Sequence, residues 1–212
     1  LEQTYSPLEI ILSDDGSKDA TFSIMEEMAK SYSGPHTIRL NRNDPNRGLC
    51  AHVNKIFEMA KGELIVVAAG DDISVPERTE KIVQAWLDEG KPTCVIHSEA
   101  FTFSDDDIHT AHRNKNRLSN ISLNFEEAIC KYNIQPIIMG CSAAYTPDLY
   151  HFFGALDFAG MIEDIPLSYR ALLLGTRIFI QEPLLFYRRP SDDSRSICQK
   201  NINTVEFARF VV

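Results

Sequence analysis

The stretch that decides the fold reads LIVVAAGDDISVP and runs from Leu64 to Pro76. It begins as an apolar run typical of a buried strand and stops at a glycine and two adjacent carboxylates, Asp71 and Asp72. The two negative charges repel each other, and no cationic side chain neighbours them in the sequence. Pro76 fits the first turn of a helix that continues to about Glu89. The stretch therefore predicts a strand, an acidic turn and a helix, and the repulsion within the turn needs an explanation.

Strands and helices alternate on both sides of this stretch. Apolar runs at Leu8–Leu12, His36–Leu40 and Cys94–His97 predict three more strands, and segments with apolar residues at helical spacing lie between them. This alternation predicts an α/β fold whose central sheet is mostly parallel and covered by helices on both faces. Sheets of this kind bind ligands at the carboxyl ends of their strands.

The second half of the chain is less regular. Asp105–Asn120 is polar and predicts an exposed loop, which is either a lid over the site or a solvent-exposed loop without a functional role. Helices are predicted near Phe125–Lys131 and from Glu163 to Gly175, and a strand that bends at a glycine is predicted at Ile137–Tyr145. The runs RIFI and LLFY further along predict two separate short strands.

Composition limits the function classes. The 212 residues carry a formal net charge of −9, which argues against a protein that binds nucleic-acid phosphates. Five cysteines at spacings that match neither a zinc site nor a redox pair predict free thiols in a reducing compartment. No apolar run reaches the roughly 18 residues of a transmembrane helix. We therefore expect a cytoplasmic protein.

Acidic residues follow two of the predicted strands directly. Asp14 and Asp15 follow the first strand, and Asp71 and Asp72 follow the strand that begins at Leu64. Parallel strands would bring both pairs to one edge of the sheet, where a divalent cation such as Mg²⁺ or Mn²⁺ would relieve the repulsion. Each aspartate taken alone also fits a turn residue or a helix cap.

Glu163 and Asp164 stand at the start of a predicted helix, where the helix dipole stabilises negative charge. They are either ordinary acids of a first helical turn or they include a general base that takes a proton from an attacking hydroxyl. The sequence leaves both interpretations open.

Several motifs in order resemble the family 2 glycosyltransferases. They are LEIILSDDGSKD, the Asn46-x-Gly48 pair, AHVNKIFEMAKGELIVVAAGDDISVPER, GCSAAY and MIEDIPLSYRALLLG. The resemblance covers nearly the whole chain. It implies the GT-A fold, a Rossmann-like three-layer sandwich, in one domain over residues 1–212. A nucleotide-sugar-binding half would extend to about residue 100 and an acceptor-binding half would follow it.

The resemblance also implies roles for individual residues. Asp15 would contact the nucleotide base with Asp14 beside it, and Asp71 would lie near the ribose while Asp72, with Asp71, binds the metal on the diphosphate. Asp164 would be the base that deprotonates the acceptor. Three further residues are assigned to substrate binding: Glu163, Arg188 and Arg189. For the two arginines, pairing with phosphate and a plain surface position are both open.

Two departures from the family pattern stand out. Ala69 replaces the first acid of the D-x-D-D sequence of many relatives, although Asp71 and Asp72 remain. Relatives also carry a first strand and helix before LEQTY, so we expect this chain to be truncated at its N-terminus.

The function that follows from the resemblance is inverting transfer of a sugar from a nucleotide-diphosphate sugar, with UDP- or dTDP-sugar expected, to a hydroxyl of a glycan or lipid-linked acceptor. The expected setting is polysaccharide or cell-surface glycan biosynthesis at the inner face of the membrane. Peripheral membrane association and a homo-oligomer are compatible with it. The alternatives are a nucleotide-sugar-binding subunit without turnover and a receiver-like signalling module.

Overall fold

The computed structural model describes residues 1–104, 107–114, 138–157, 162–174 and 177–189. The first half alternates as the sequence predicts, with one additional short strand after the acidic turn. Its elements are β1 (Glu9–Asp14), α1 (Thr21–Ser31), β2 (Thr37–Arg42), α2 (Leu49–Met59), β3 (Ile65–Val66), β4 (Ile73–Ser74), α3 (Arg78–Asp88) and β5 (Val95–Ser104).

The second half completes the main sheet and adds two helices. Its elements are β6 (Asp107–Asn114), a 3₁₀ turn (Gly140–Ser142), β7 (Ala143–Tyr145), α4 (Asp148–Phe153), α5 (Asp164–Leu174) and β8 (Arg177–Arg189). The predicted helix from Glu163 is confirmed by α5. The predicted helix near Phe125–Lys131 lies outside the described residues.

The strands form two sheets within the described ranges. Strands β1 and β2 pair in parallel, and the larger sheet has the order β3-β7-β5-β8-β4 with β6 also paired to β5. The two longest pairings, β1 with β2 and β5 with β8, are parallel. The shorter pairings made by β3, β4, β6 and β7 are antiparallel, so the larger sheet is mixed.

Two sequence predictions are wrong in the second half. Residues 107–114 of the predicted loop form strand β6, which pairs with Ala100–Ser104 of β5. Its side chains are mostly exposed and polar, so the strand lacks the apolar alternation that would reveal it. The two short strands predicted from RIFI and LLFY are one continuous strand, β8. A register shift opposite Ser98 and Glu99 accommodates Pro183, which has no N–H to donate.

The core lies on both sides of β5 and β7. One cluster is built around Phe57, Tyr145, Leu149 and Leu167, and a second includes Ile82, Trp86 and Leu184. This packing fixes α2, α3 and α5 around the ends of β3 and β7, where the acidic residues stand. No helix in the described ranges is both long enough and apolar enough to cross a bilayer.

His97 lies on β5 within this core and has a structural role. It is buried, its ring packs 4.8 Å from that of Phe179, and burial lowers its pKa to about 3. A neutral, packed imidazole contributes to the core rather than to the acidic site.

Candidate active site

Asp14, the last residue of β1, closes the turn that follows. Its side chain is buried and accepts hydrogen bonds from the backbone N–H of Ser17 at 3.1 and 3.3 Å. Arg42 Nε at the end of β2 lies 3.6 Å from the same carboxylate. These partners give Asp14 a structural part, since its oxygens face the turn rather than an open surface.

Asp15 organises the loop that precedes α2. Its carboxylate accepts hydrogen bonds from Asn43 Nδ2 at 2.8 Å and from the backbone N–H groups of Arg47 and Gly48, both at 2.9 Å. His52 Nδ1 lies 3.7 Å away. Burial works to raise the pKa of Asp15, but these donors and the neighbouring histidine lower it below its usual value. Asp15 is therefore ionised and already engaged by protein groups.

Gly16 allows the strand end and this loop to meet. Its φ of +78° is in the region that favours glycine, and a Cβ there would lie 2.9 Å from the backbone nitrogen of Asn46. A side chain at this position would thus separate Asp15 from the amides that it binds.

Asp71 and Asp72 form a second corner with the end of β8. Asp72 Oδ1 accepts a hydrogen bond from the backbone N–H of Arg188 at 2.9 Å, and Arg188 Nε donates to the backbone oxygen of Asp71 at 2.9 Å. Asp71 is exposed, whereas Asp72 Oδ2 is buried and has no hydrogen-bond partner in the described part of the chain. Burial raises the pKa of Asp72. Arg189 lies at the exposed end of the same strand.

The fold brings a cation, Arg78 at the start of α3, close to the acidic turn. The sequence alone does not reveal this proximity. The Arg78 guanidinium is 2% exposed and interacts electrostatically with Asp72. It donates to the backbone oxygens of Val67 at 2.7 Å and Cys141 at 2.8 Å, and to Ser74 Oγ at 2.9 Å. Burial lowers the pKa of Arg78 to about 10, which leaves it protonated at neutral pH. A buried positive charge thus partly balances the acidic turn.

The 3₁₀ turn Gly140–Ser142 lies between the Asp72 corner and Asp164. The Cys141 thiol interacts with the carboxylate of Asp72, and it also lies within electrostatic reach of Asp164. Gly140 donates its backbone N–H to Asp164 Oδ2 at 3.2 Å, and a Cβ on Gly140 would lie 2.9 Å from that oxygen. A glycine is therefore required for this close approach.

Glu163 and Asp164 are half-buried acids at the start of α5. Asp164 Oδ1 and Glu163 Oε2 are inaccessible to solvent and have no hydrogen-bond partner within the described ranges. Burial raises the pKa of Asp164, against the lowering effect of the Gly140 N–H. Burial and the adjacent Asp164 raise the pKa of Glu163 to about 7. The hydroxyl of Tyr145 is buried among the same charges.

The structure brings most of the predicted residues into two connected groups. Asp14 and Asp15 belong to the group around the loop before α2, and the second group contains Asp71, Asp72, Glu163, Asp164 and Arg188. Helix α2 joins them, because it follows Gly48 directly and its Cys50 lies within electrostatic reach of Glu163 and Asp164. The two aspartate pairs therefore do not lie side by side at one edge of a single sheet, contrary to what the sequence predicts. Helix α2 connects their two groups instead.

The described residues around Asp72 could bind a divalent cation through a single carboxylate. In the residues that the structure describes, no group of three or more histidine, cysteine or acidic side chains is arranged to hold a metal. Asp72 Oδ2 is nevertheless a carboxylate oxygen that accepts no hydrogen bond from the described residues. Mg²⁺ commonly uses one or two carboxylates together with substrate phosphates and water. The donor set therefore fits a cation that arrives with a diphosphate.

Sequence reasoning missed several residues of this site. Arg78 is an unremarkable helix residue in the sequence, and Asn43 and His52 bear no motif of their own. Gly140 and Cys141 stand inside the GCSAAY motif, which is a local signal that this turn matters. Their partners are 24 and 63 residues away in the sequence, so only the fold reveals the contacts.

Comparisons with known proteins show which family and fold the chain resembles. Residues 1–152 match Glycosyl transferase family 2. EpsE of Bacillus subtilis (strain 168) is 36% identical over 105 residues, which is 50% of this chain and 37% of EpsE. The structure of S. aureus TarS 1-349 in complex with UDP has a TM-score of 0.64 at 15% identity, covering 89% of this chain and 54% of that one.

A second solved structure shares the fold. It is the mannosyltransferase PcManGT from Pyrobaculum calidifontis in complex with GDP-Man and Mn²⁺, with a TM-score of 0.62 at 19% identity over 92% of this chain and 51% of that one. The chain thus spans 37 to 54% of the length of these three proteins. The family match covers most of the chain, and both structural likenesses show the same architecture. The chain therefore belongs to Glycosyl transferase family 2 and adopts the GT-A fold.

Proposed function

We propose that this protein transfers a glycosyl group from a nucleotide-diphosphate sugar to an acceptor hydroxyl, with inversion at the anomeric carbon. The observation that carries the proposal is the pair of half-buried carboxylates, Asp72 and Asp164, on either side of the turn at Cys141. Each has one oxygen without a partner in the described part of the chain. The free oxygen of Asp72 is suited to bind a cation, and that of Asp164 is suited to accept a proton.

Asp72 is the residue that would hold Mg²⁺ or Mn²⁺ on the donor diphosphate, with the exposed Asp71 beside it. Such a cation supplies Lewis-acid stabilisation of the leaving diphosphate. It would also neutralise the carboxylate, whose pKa is raised by burial in the absence of a metal. Of the two fold neighbours, TarS was solved in complex with UDP and PcManGT in complex with GDP-Man and Mn²⁺, which supports a donor and a metal of this kind.

Asp164 is the proposed general base. Its raised pKa makes it a stronger proton acceptor than an exposed aspartate, and the Gly140 N–H fixes the position of one oxygen. Glu163 takes up a proton more readily, because its pKa is about 7. A neutral Glu163 would let its neighbour remain ionised, since two adjacent buried carboxylates disfavour a double charge.

The remaining assignments extend this proposal. Asp14 and Asp15 would shape the part of the pocket that receives the nucleotide, for which UDP or dTDP is expected, while Arg188 and Arg189 would contribute positive charge near the phosphates. The donor half would extend to about residue 100 and the acceptor half would follow. The acceptor would be a glycan or a lipid-linked sugar of polysaccharide or cell-surface glycan assembly.

Calorimetry on the purified full-length protein tests the donor site. UDP should bind in the presence of Mn²⁺ and lose at least about tenfold in affinity when the metal is chelated, because the diphosphate then faces carboxylates alone. Asp72→Asn should remove the metal dependence. The exposed Asp88, on α3, provides the matched control, and Asp88→Asn should bind as the parent does. Equal UDP binding with and without metal would contradict the metal assignment.

A nucleotide-sugar screen with the same protein tests turnover. Asp164→Asn should abolish sugar transfer and leave metal-dependent UDP binding within about threefold of the parent, because the base acts only on the acceptor. Loss of both activities would show that Asp164 is needed for the structure instead. Nucleotide binding without turnover of any donor in the unmodified protein would favour a binding subunit.

A further inference from the structure

We infer that Arg78 is a positioning residue that holds the donor corner at Asp72 and the acceptor corner at Asp164 in one fixed arrangement. The inference rests on the proposed function and deepens it. Arg78 itself contacts neither carboxylate through a hydrogen bond in the described residues. It acts on the backbone segments that carry them.

The Arg78 side chain clamps the two ends of the acidic turn. Arg78 Nη2 donates to the backbone oxygen of Val67 at 2.7 Å, before the turn, and Nη1 donates to Ser74 Oγ at 2.9 Å, after it. Asp72 lies between these two points. The planar guanidinium has its donors in a rigid fork, so the separation of the two ends of the turn is fixed.

The same side chain links the acidic turn to the acceptor corner at Asp164. The same Nη2 donates to the backbone oxygen of Cys141 at 2.8 Å. The preceding residue, Gly140, donates its N–H to Asp164 Oδ2 at 3.2 Å. Arg78 therefore joins Val67 to the turn that positions the proposed base, and Cys141 in that turn lies 63 residues after Arg78 in the sequence.

The charge of Arg78 is buried beside the acidic turn. Arg78 is 2% exposed and interacts electrostatically with Asp72. A lysine at this position would keep the charge, but one ammonium group does not have the fork that spans two carbonyl oxygens and a hydroxyl. Substitution by lysine therefore separates the positioning effect from the electrostatic one.

The experiment compares Arg78→Lys and Arg78→Met with Ile82→Ala. Ile82 lies one turn further along α3 and is fully buried in the core, so its truncation destabilises the same helix without touching the clamp. All variants are assayed in the full-length protein at a temperature where each is folded. The readouts are kcat and KM for the donor sugar found in the screen, and the rate at which iodoacetamide alkylates Cys141.

Both Arg78 variants should lose at least about tenfold in kcat with a smaller change in KM, because misplacing reacting groups by about 1 Å can cost 10²-fold. Ile82→Ala should lower the Tm and keep kcat within about threefold of the parent. Cys141 should be alkylated faster in both Arg78 variants and at the parental rate in Ile82→Ala, with the buried Cys94 as internal reference. If Arg78→Met does not fold, Arg78→Lys provides the same readouts.

Two results would overturn the inference. One is full recovery of kcat by lysine, which would assign the effect to charge alone. The other is unchanged alkylation of Cys141 in the Arg78 variants. Because alkylation does not depend on glycosyl transfer, it tests the clamp even if the parent protein transfers no sugar, and the two proposals can fail separately.

Discussion

Gly140 and Asp164 approach each other closely in the candidate site, and a Gly140→Ala substitution tests whether this approach matters. A methyl group at Gly140 would lie 2.9 Å from Asp164 Oδ2 and 3.0 Å from its Cβ. Ordinary contact begins at 3.4 Å, so the carboxylate or the turn must move by about 0.5 Å. The 3.2 Å hydrogen bond from the Gly140 N–H to the same oxygen would lengthen or break with this shift.

The magnitude follows from these two effects. A hydrogen bond to a charged group contributes about 1.5–3 kcal/mol and overpacking costs about 1–3 kcal/mol, so the free energy of unfolding should fall by about 2.5–6 kcal/mol. A 0.5 Å displacement of the base should lower kcat about tenfold. Loss of the N–H donor should raise the pKa of Asp164 further, because that donor lowers it in the parent. The acidic limb of the pH–kcat profile should then move to higher pH.

The assay is steady-state transfer across a pH series, with thermal unfolding measured in parallel. Gly70→Ala is the control for stability, because a Cβ there meets nothing within 4 Å among the described residues and its φ lies outside the region that favours glycine. Its Tm should match that of the parent. If Gly140→Ala keeps the parental kcat and pH profile, the position of the Asp164 carboxylate does not govern the chemistry.

Three further predictions concern stability. Glu163 has a folded pKa of about 7 against 4.5 in the unfolded chain, so its contribution is greatest below pH 4.5 and is lost as pH rises to about 7. Glu163→Gln should therefore flatten the decline in Tm between pH 5 and pH 8, which in the parent should correspond to about 2 kcal/mol. Asp15→Ala removes the acceptor for the amides of Arg47 and Gly48 and should cost about 1–3 kcal/mol in urea unfolding. Gly16→Ala combines a φ of +78° with a backbone collision and should lower the Tm in calorimetry more than Gly70→Ala does.

Local pattern accounts for much of the fold. The strands at Glu9–Asp14 and Thr37–Arg42 and helices α2, α3 and α5 follow from apolar spacing and from turn residues. The edge strand β6 and the continuity of β8 could not be predicted in this way. In β6 the ladder to β5 replaces side-chain burial, and in β8 a register shift accommodates a proline that would otherwise end the strand.

The candidate site divides in the same manner. The sequence alone located the acids, because carboxylates directly after an apolar strand or at the start of a helix are local features. It could not distinguish their environments. Asp15 accepts hydrogen bonds from the loop before α2, whereas Asp72 and Asp164 each have one buried oxygen without a hydrogen-bond partner in the described part of the chain.

The sequence was enough to predict the order of strands, acids and helices. It was also enough to identify the family resemblance. Tertiary structure alone decided what balances and positions the acids. Arg78 meets Cys141 across 63 residues, and Asp72 meets Arg188 across 116. Such contacts depend on how the sheet and helices pack, since burial and distance set the strength of a charge interaction and neither is encoded within a short stretch of chain.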